Sequence, residues 1–585
     1  MSIATPPDEN WESSMHWQQQ AQLAAVSREA TLPNSFARAA ARGSRPGFGG
    51  PNTLDEVASA LIRKQRAAGA QQATQNSITM TPVRATADPQ EKKDQIEAER
   101  VRHINEDINH QYWTSIDLSG QGLTAVAPRL FAYTFLQRLY LGHNELKHIP
   151  ISLTTMPQLR VLDLSSNSID HIIPEIGLMV SLRYLFLFDN QITTLPAELG
   201  SLFQLEVLGI DGNPLDDKFR QIMAKEGTRG LVIDLRDHAP IGNPPSPRQW
   251  ITLETDYQSS PGFSLLSYNT LCDKYATPQM YGYTPSWALS WEYRSKLLVE
   301  ELTAHESDII CLQEVNLEAC EKVWQPHFQP RGYKHIFHPK TRARTMSSPS
   351  EASQVDGCVI FYRDSAISLL EHTHIEYNSK ALLRDDLKKS VDTFNRVMTK
   401  DNVAIVGIFK HKSSGNQFIV ANTHLHWDPA FRDVKIVQSA ILLEELEVIA
   451  QGTGYGKSIP MVVCGDYNST QDSGVYQLFS QSKVEPTHTD LEGYQYGKFT
   501  ETGITSNLNF KSAYSDGFEL PFTNYTPNFV ESIDYIWYTH HTLAVTALLG
   551  KVDEEYAKHY VGFPNAHHPS DHIPIVAKFA FTHKK

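Results

Sequence analysis

Cysteine, long apolar runs and positive charge are all in short supply in this 585-residue chain. Its five cysteines, Cys272, Cys311, Cys320, Cys358 and Cys464, are odd in number, far apart and never in a C-x-x-C pair. That excludes a disulfide framework and a thiolate zinc site, and it points to a reducing, intracellular setting. No run of about 18 apolar residues occurs, and the opening MSIATPPDENWESS has neither a basic nor an apolar leader region. No membrane span and no secretory leader are therefore expected. Only 52 Lys and Arg face 66 Asp and Glu, a net charge of −14, which argues against sequence-independent binding of nucleic acid over a broad basic face. A phosphate-handling site would need cations from elsewhere. What is present is ordinary for folded protein: 41% hydrophobic and 20% charged residues exclude global disorder, collagen-like repetition and a coiled coil. The length calls for three or four units, fewer if one is a large β-rich enzyme.

Residues 1–110 are rich in Ala, Gln, Ser, Arg and Pro, and the run ARAAARGSRPGFGGPN reads as unfolded spacer, so a disordered N-terminal tail is expected. Two stretches in it have helical character: HWQQQAQLAAVSREA, and VASALIRKQRAA preceded by the capping-box pair Thr53 and Glu56. Both are expected as transient helices. Over 111–236 a repeat appears. LQRLYLGHNEL, LRVLDLSSNSI, LRYLFLFDNQI and LEVLGIDGNPL place Asn144, Asn167, Asn190 and Asn213 in register at steps of 23 residues, with Gln121 one step earlier. The pattern LxxLxLxxNxI resembles the leucine-rich repeat, in which stacked aliphatics form one continuous core. After it, DDKFRQIMAKEG and LVIDLRD read as a closing helix and strand. On the concave face Asp117, Tyr140, Asp163, Phe186 and Gly209 should form a ladder with Phe188 alongside. Tyr140, Phe186 and Phe188 are then candidates for a partner-binding surface, with packing against the next domain as the competing reading. Residues 237–261, with Pro240, Pro244, Pro245, Pro247 and Pro261, read as a stiff connector.

From 262 to 585 the apolar runs FSLLSYN, DIICLQE, CVIFY, VAIVGIF, FIVANTH, MVVCGDYN, IDYIWY and IPIVAKFAF have the length and β-branched content of buried strands. The aliphatics of FRDVKIVQSAILLEELEVIAQ recur at helical spacing, so a layered α/β sandwich is expected. Polar residues fall at the ends of the runs. Asn269, Glu314, His424 with His426, and Asp466 with Asn468 terminate strands, whereas Asp534 and the pair Asp571–His572 begin them. In a sheet with antiparallel neighbours these ends share an edge, and gathering such groups around a cation costs less than burying them singly. Hard oxygen donors without thiolates select Mg²⁺ or Mn²⁺ over zinc.

Such a constellation suits phosphodiester hydrolysis. A cation held by Glu314 would polarise a phosphoryl oxygen. Asp466 would orient or deprotonate water, with Asn468 donating to the phosphate. His572, charged beside Asp534, would stabilise the pentacoordinate phosphorus. Asp571 would be a second metal ligand. The aromatic segment Tyr275, Tyr281, Tyr283, Trp287, Trp291 and Tyr293 lines a base pocket or, on the blander reading, only packs.

The motifs LLSYNTL, CLQEV, NTHLHW, CGDYNST, ESIDYIWY and HHPSDHIPI resemble those of the exonuclease–endonuclease–phosphatase superfamily, and YGYTPSWALSWEYR, DGCVIFYR and FNRVMTKDN are similar to its deadenylase branch. A leucine-rich repeat ahead of that domain resembles the catalytic subunit of the eukaryotic mRNA deadenylation complex. The resemblance implies a two-layer αββα sandwich, two Mg²⁺ ions, and 3′-to-5′ removal of poly(A) with release of 5′-AMP. It further implies Glu314 as principal metal ligand, with Asn269, Asp466, Asn468, Asp534 and His572 completing the site. It assigns His424 to a phosphate and Pro429 and Phe529 to the two sides of an adenine. The repeats would dock a second deadenylase subunit and, through it, the scaffold, in the cytoplasm with a nuclear pool. Rival readings are a phosphatase or lipid phosphodiesterase on the same fold, disfavoured because Ser532-Ile533-Asp534-Tyr535 stands where inositol-phosphate enzymes carry Cys-Asp-Arg; an abasic-site endonuclease, which the missing basic surface disfavours; and a catalytically silent repeat-based adaptor.

Overall fold

The computed structural model describes residues 13–29, 54–63, 113–387 and 390–582. It divides into two compact units, Met1–Pro240 and Ile241–Lys585. In the first, five short strands, β1 (Ser115–Asp117), β2 (Arg138–Tyr140), β3 (Val161–Asp163), β4 (Tyr184–Phe186) and β5 (Val207–Gly209), form one parallel sheet in sequence order. The middle residues Leu139, Leu162, Leu185 and Leu208 lie in register and are fully buried, which is why the aliphatic spacing produces a continuous core. Each repeat asparagine then satisfies the backbone at its bend. Asn167, for example, donates to the carbonyls of Leu141 (3.1 Å) and Leu164 (3.0 Å) and accepts from the Leu146 amide (3.0 Å).

Two expectations about this unit need correction. Helix α1 (Met15–Glu29) and helix α2 (residues 54–63) are not free transient helices: they pack on the concave face. Leu23, Ala24, Leu54 and Ala58 form one buried cluster with Val161, Phe186, Phe188 and Val207. Polar ties fix the arrangement. Arg28 binds Asp189 with two hydrogen bonds (2.8 and 2.6 Å), Tyr140 donates to Asp55 (2.8 Å), and Ser59 meets the Tyr184 hydroxyl (2.7 Å). Phe186 and Phe188 are completely buried beneath these helices, so the aromatic ladder is not the open partner surface the sequence suggested; segments of the same chain fill it. The other residues of the expected tail lie outside the described ones.

LVIDLRD, expected as a strand, is the second half of α3 (Asp217–Asp237), a helix kinked at Gly227, whose φ is 70°. A sixth strand has no ladder to join. The outer edge of β5 is already satisfied by the side chain of Gln20, which donates to the Leu208 carbonyl (2.8 Å) and accepts from the Ile210 amide (3.0 Å), and by Thr228, which accepts from the Leu208 amide (3.1 Å).

The second unit is a two-sheet sandwich. Its strands are β6 (Trp250–Thr252), β7 (Gly262–Asn269), β8 (Ile309–Asn316), β9 (Tyr333–Pro339), β10 (Asp356–Arg363), β11 (Ile367–Glu376), β12 (Val403–His411), β13 (Gln417–His424), β14 (Met461–Asp466), the short pair β15 (Lys483–Val484) and β16 (Ile504–Thr505), β17 (Phe510–Ser512), the hairpin β18 (Asn524–Thr526) and β19 (Phe529–Glu531), β20 (Asp534–Thr539), β21 (Leu543–Leu549) and β22 (Ile575–Phe581). One sheet has the order β6-β21-β22-β7-β8-β10-β9 and the other β11-β12-β13-β14-β20-β17. Alternation along each strand sorts side chains between two layers. Leu265, Cys311 and Ile360 face Ile405, Val420, Val462 and Ile536 between the sheets, while Leu266, Leu312 and Val359 face α4 (Trp291–Ala304) outside. Val406, Ala421 and Val463 face α5 (Arg432–Gly452) on the other side, completing αββα layering. Asn422, fully buried between the layers, locks them together by donating to the carbonyls of Leu312 and Val359, both at 2.9 Å. The expected connector is shorter than 237–261, because β6 pairs with β21 and Arg248 donates to the carbonyls of Gly550 and Pro574, both at 2.6 Å.

Candidate active site

Three strands of the six-stranded sheet end side by side. Pairing of β13 with β14 sets His424 opposite Asp466, and pairing of β14 with β20 sets Asp466 opposite Asp534. Each ends or begins an apolar run whose other residues are held in the sheet, so register alone brings the three polar groups to one rim. The facing sheet supplies Asn269, at the end of β7, and Glu314 in β8. Glu314 has a φ of 58° and occupies a bulge where β10 passes from Gly357, paired with Val315, to Cys358, paired with Gln313. A left-handed conformation at a non-glycine residue holds about 1–3 kcal/mol of strain, and here it re-aims the carboxylate toward the rim.

Asn269 joins the two sheets: its Nδ2 donates to Glu314 Oε1 (3.2 Å) and to Asp466 Oδ2 (3.0 Å). The second Glu314 oxygen accepts from the Cys272 amide (2.9 Å). Asp466 Oδ1 accepts from the Asn468 amide (2.9 Å), and Asn468, like Glu314, is in the left-handed region at φ 47°. His572 lies across the site, Nδ1 at 2.7 Å from Asp534 Oδ2 and Nε2 at 3.6 Å from Asp466 Oδ2. His424 Nε2 is 3.5 Å from the same Asp466 oxygen. The structure thus brings together Asn269, Glu314, His424, Asp466, Asn468, Asp534 and His572. The neighbouring Asp571 accepts from Tyr281 (2.9 Å) and Asn524 (3.2 Å). Pro429 is exposed on the loop after β13, and Phe529, on β19, is also exposed. Of the aromatic segment, Tyr281 touches Asp571 while Tyr293 donates to the Ala566 carbonyl (2.8 Å) and Trp291 packs on Trp324, so its main work is anchoring loops.

The electrostatics match a site short of positive charge. Burial, then the charge of Asp356, push the Glu314 carboxyl up to about 7, against the pull of Lys340. Burial and Lys340 push His424 down to about 4. Burial also works against the charge on His572, but Asp534, Asp466 and Asp571 outweigh it and hold its pKa well above the ordinary value. Ligand atoms of Asp466, Asp534 and His572 lie within 4.8 Å of one another, and Asp534 Oδ1 is buried without a hydrogen-bond partner. The carboxylates of Glu314, Asp466 and Asp534, with one orphaned oxygen among them and one carboxyl pushed toward neutrality, fit a hard divalent cation.

Some residues around the site were not singled out from the sequence. Asp356, fully buried one strand from Glu314, receives Lys274 (2.9 Å), Lys340 (2.7 Å) and Arg342 (2.6 Å). Arg294, fully buried in α4, ties the loop after β7 to the loop before His572 by donating to the carbonyls of Leu271 (2.9 Å) and Pro569 (3.0 Å). Lys435 donates to the Asn468 carbonyl (2.7 Å). No spacing rule announces any of them; the arginines and lysines stand in ordinary helical or loop context.

Residues 266–572 match the model of the Endonuclease/Exonuclease/phosphatase family, and residues 113–169 and 157–215 match that of the leucine rich repeat. The chain is similar to the CCR4-Not complex 3′-5′-exoribonuclease subunit Ccr4 of Yarrowia lipolytica, at 44% identity covering 99% of this chain and 91% of that protein. It is 39% identical to the protein of the same name from Schizosaccharomyces pombe, over 99% of this chain and 93% of that one. Among solved structures, the catalytic domain of human Nocturnin with bound sulfate is 27% identical, with a TM-score of 0.40, over 57% of this chain and 97% of that one.

Proposed function

The chain belongs to the family of CCR4-Not complex 3′-5′-exoribonuclease subunits, and from that premise we propose that it shortens the poly(A) tails of mRNA from the 3′ end, releasing 5′-AMP. It is a 3′-to-5′ exoribonuclease. The observation that supports the assignment of its centre is the meeting of Glu314 and Asp466, from different sheets, on the two hydrogen bonds of one asparagine amide.

Glu314, Asp466 and Asp571 are the residues that would hold Mg²⁺, two ions in all, with Mn²⁺ as a substitute; the metal supplies neutralisation of the charge that builds on the phosphoryl oxygens. Asn269 fixes the directions of the Glu314 and Asp466 carboxylates, so neither has to reorganise during reaction. Asp466 orients the attacking water and accepts its proton. His572, kept as an imidazolium by Asp534, donates to the phosphoryl oxygen as the phosphorus becomes pentacoordinate. Asn468 and His424 contact the phosphate. Pro429 and Phe529 flank the terminal adenine, a pair of apolar walls that contributes about 1–3 kcal/mol of stacking.

The repeats dock a second deadenylase subunit, which binds the scaffold. Because α1 and α2 cover the concave face, that docking uses another side of the solenoid. The protein works in the cytoplasm, with a nuclear pool. The test is purified full-length protein with 5′-labelled RNA of mixed sequence ending in adenylates, with and without chelator. A ladder receding from the 3′ end, stalling at the first non-adenylate and abolished by chelator, is expected. Turnover of phosphoinositides in place of RNA would overturn the assignment.

A further inference from the structure

Trp427 is the most exposed aromatic side chain among the described residues, at 68%. Its surroundings are not those of a loose loop. His424, Leu425 and His426 just before it are buried, the Leu425 amide donates to the Asp466 carbonyl (2.9 Å), and the His426 amide donates to Gln438 Oε1 (3.0 Å). Just after it, Asp428 caps the turn by accepting from the Ala430 amide (2.8 Å). The backbone is therefore pinned on both sides while the largest apolar ring of the segment is left in water, where burial elsewhere would have stabilised the fold by about 25 cal/mol per Å².

Two cations stand on the Phe431 ring four residues further on, and one of them, Arg396, is already bound by both oxygens of Asp433. Lys400 Nζ lies 3.7 Å and the Arg396 guanidinium 4.3 Å from the ring centroid of Phe431, at the far end of the same turn. Burial first, then the facing charges of Lys400, Lys435, Lys340 and Arg396, push the adjacent His426 down to about 3. A rigid, solvent-facing indole on a turn whose far end carries Lys400 offers a stacking surface with a cation in the same segment, features that single-stranded nucleic acid binding uses. The exposed apolar surface here, Trp427 with Pro429 and Ala430, has the size of a base-stacking platform rather than of a protein interface.

We infer that Trp427 stacks a base of the substrate strand upstream of the nucleotide being released. The inference rests on the exoribonuclease reading: a strand entering by its 3′ end leaves the site in the 5′ direction, and Trp427 precedes the adenine-flanking Pro429 by two residues on one pinned turn.

The test is a cycle of protein and substrate variants. Full-length wild type, Trp427→Ala and Trp427→Phe are each given oligo(A) of about ten nucleotides, either intact or with one abasic riboside at successive positions upstream of the terminal nucleotide. With wild type, one abasic position should raise KM roughly tenfold. Trp427→Ala should show that same rise on intact oligo(A) with little change in kcat, and the critical abasic position should then have no further effect. Trp427→Phe should retain most of the wild-type KM. The inference is overturned if Trp427→Ala keeps the wild-type KM, or if its effect multiplies with the abasic effect at every position. It is also overturned if Phe fails as badly as Ala with a matching fall in kcat and Tm, the signature of a structural role. Absence of any 3′-directed ladder with the wild type would instead refute the exoribonuclease reading beneath it.

Discussion

Replacing Gln20 with Ala removes one side chain from α1 and leaves two main-chain groups of the repeat sheet without partners. Gln20 is 3% exposed, and its amide stands in for a neighbouring strand, meeting the Leu208 carbonyl at 2.8 Å and the Ile210 amide at 3.0 Å. An orphaned buried donor or acceptor costs about 1–3 kcal/mol, so the pair should cost about 2–4 kcal/mol once some water enters the gap. For a unit of this size that corresponds to a fall of about 6–15 °C in its unfolding temperature. Gln20→Glu should be no better, since a carboxylate keeps the acceptor for Ile210 but faces the Leu208 carbonyl with a like partial charge. Calorimetry of the full chain reads the effect. If Gln20→Ala melts within about 1 °C of wild type, α1 does not hold the sheet edge and the closed concave face is wrong.

Asp534→Asn keeps the shape of the carboxylate but removes the charge that keeps His572 protonated. It should lower kcat by about 10²–10⁴ with little change in KM; a loss below threefold in steady-state turnover of oligo(A) would contradict the role given to His572. The fold should also weaken in acid. Burial pushes His568 down to about 3, and His305 and His338 down to about 4. Each is neutral in the fold and takes up a proton on unfolding once the pH drops below about 6.5, so stability is full above that value and falls as pH descends toward 4. The slope is at most about 1.4 kcal/mol per pH unit for a group as buried as His568, and a Tm that stays flat from pH 7 to pH 5 would count against it.

The parts of this architecture that could be read in advance are those encoded by local period. Asn144, Asn167, Asn190 and Asn213 recur at 23 residues because each repeat closes its own bend. His424, Asp466 and Asp534 were visible because a buried strand tolerates a carboxylate or imidazole only at its ends, and register then aligns those ends. What escaped depends on contacts remote in sequence. Nothing local to Phe186 says that Leu23 and Ala58 will cover it. The β-branched run LVIDLRD reads as a strand until the edge of β5 is seen to be occupied by Gln20 and Thr228. The buried Asp356, with its lysines and arginine, has no periodic signature, because an ion cluster requires only that the loop after β7 and the loop after β9 arrive at one point on β10.

The central claim is that Glu314 and Asp466, held by Asn269, form one cation site at the meeting of the two sheets. Anomalous diffraction from crystals of the full-length protein grown with Mn²⁺ tests it most directly. The expected result is a strong peak at ligand distance from the Glu314 carboxylate, on the side facing Asp466. A map with no peak there, and manganese found only at the exposed His148, Asp170 and His171 group on the repeats, would contradict it.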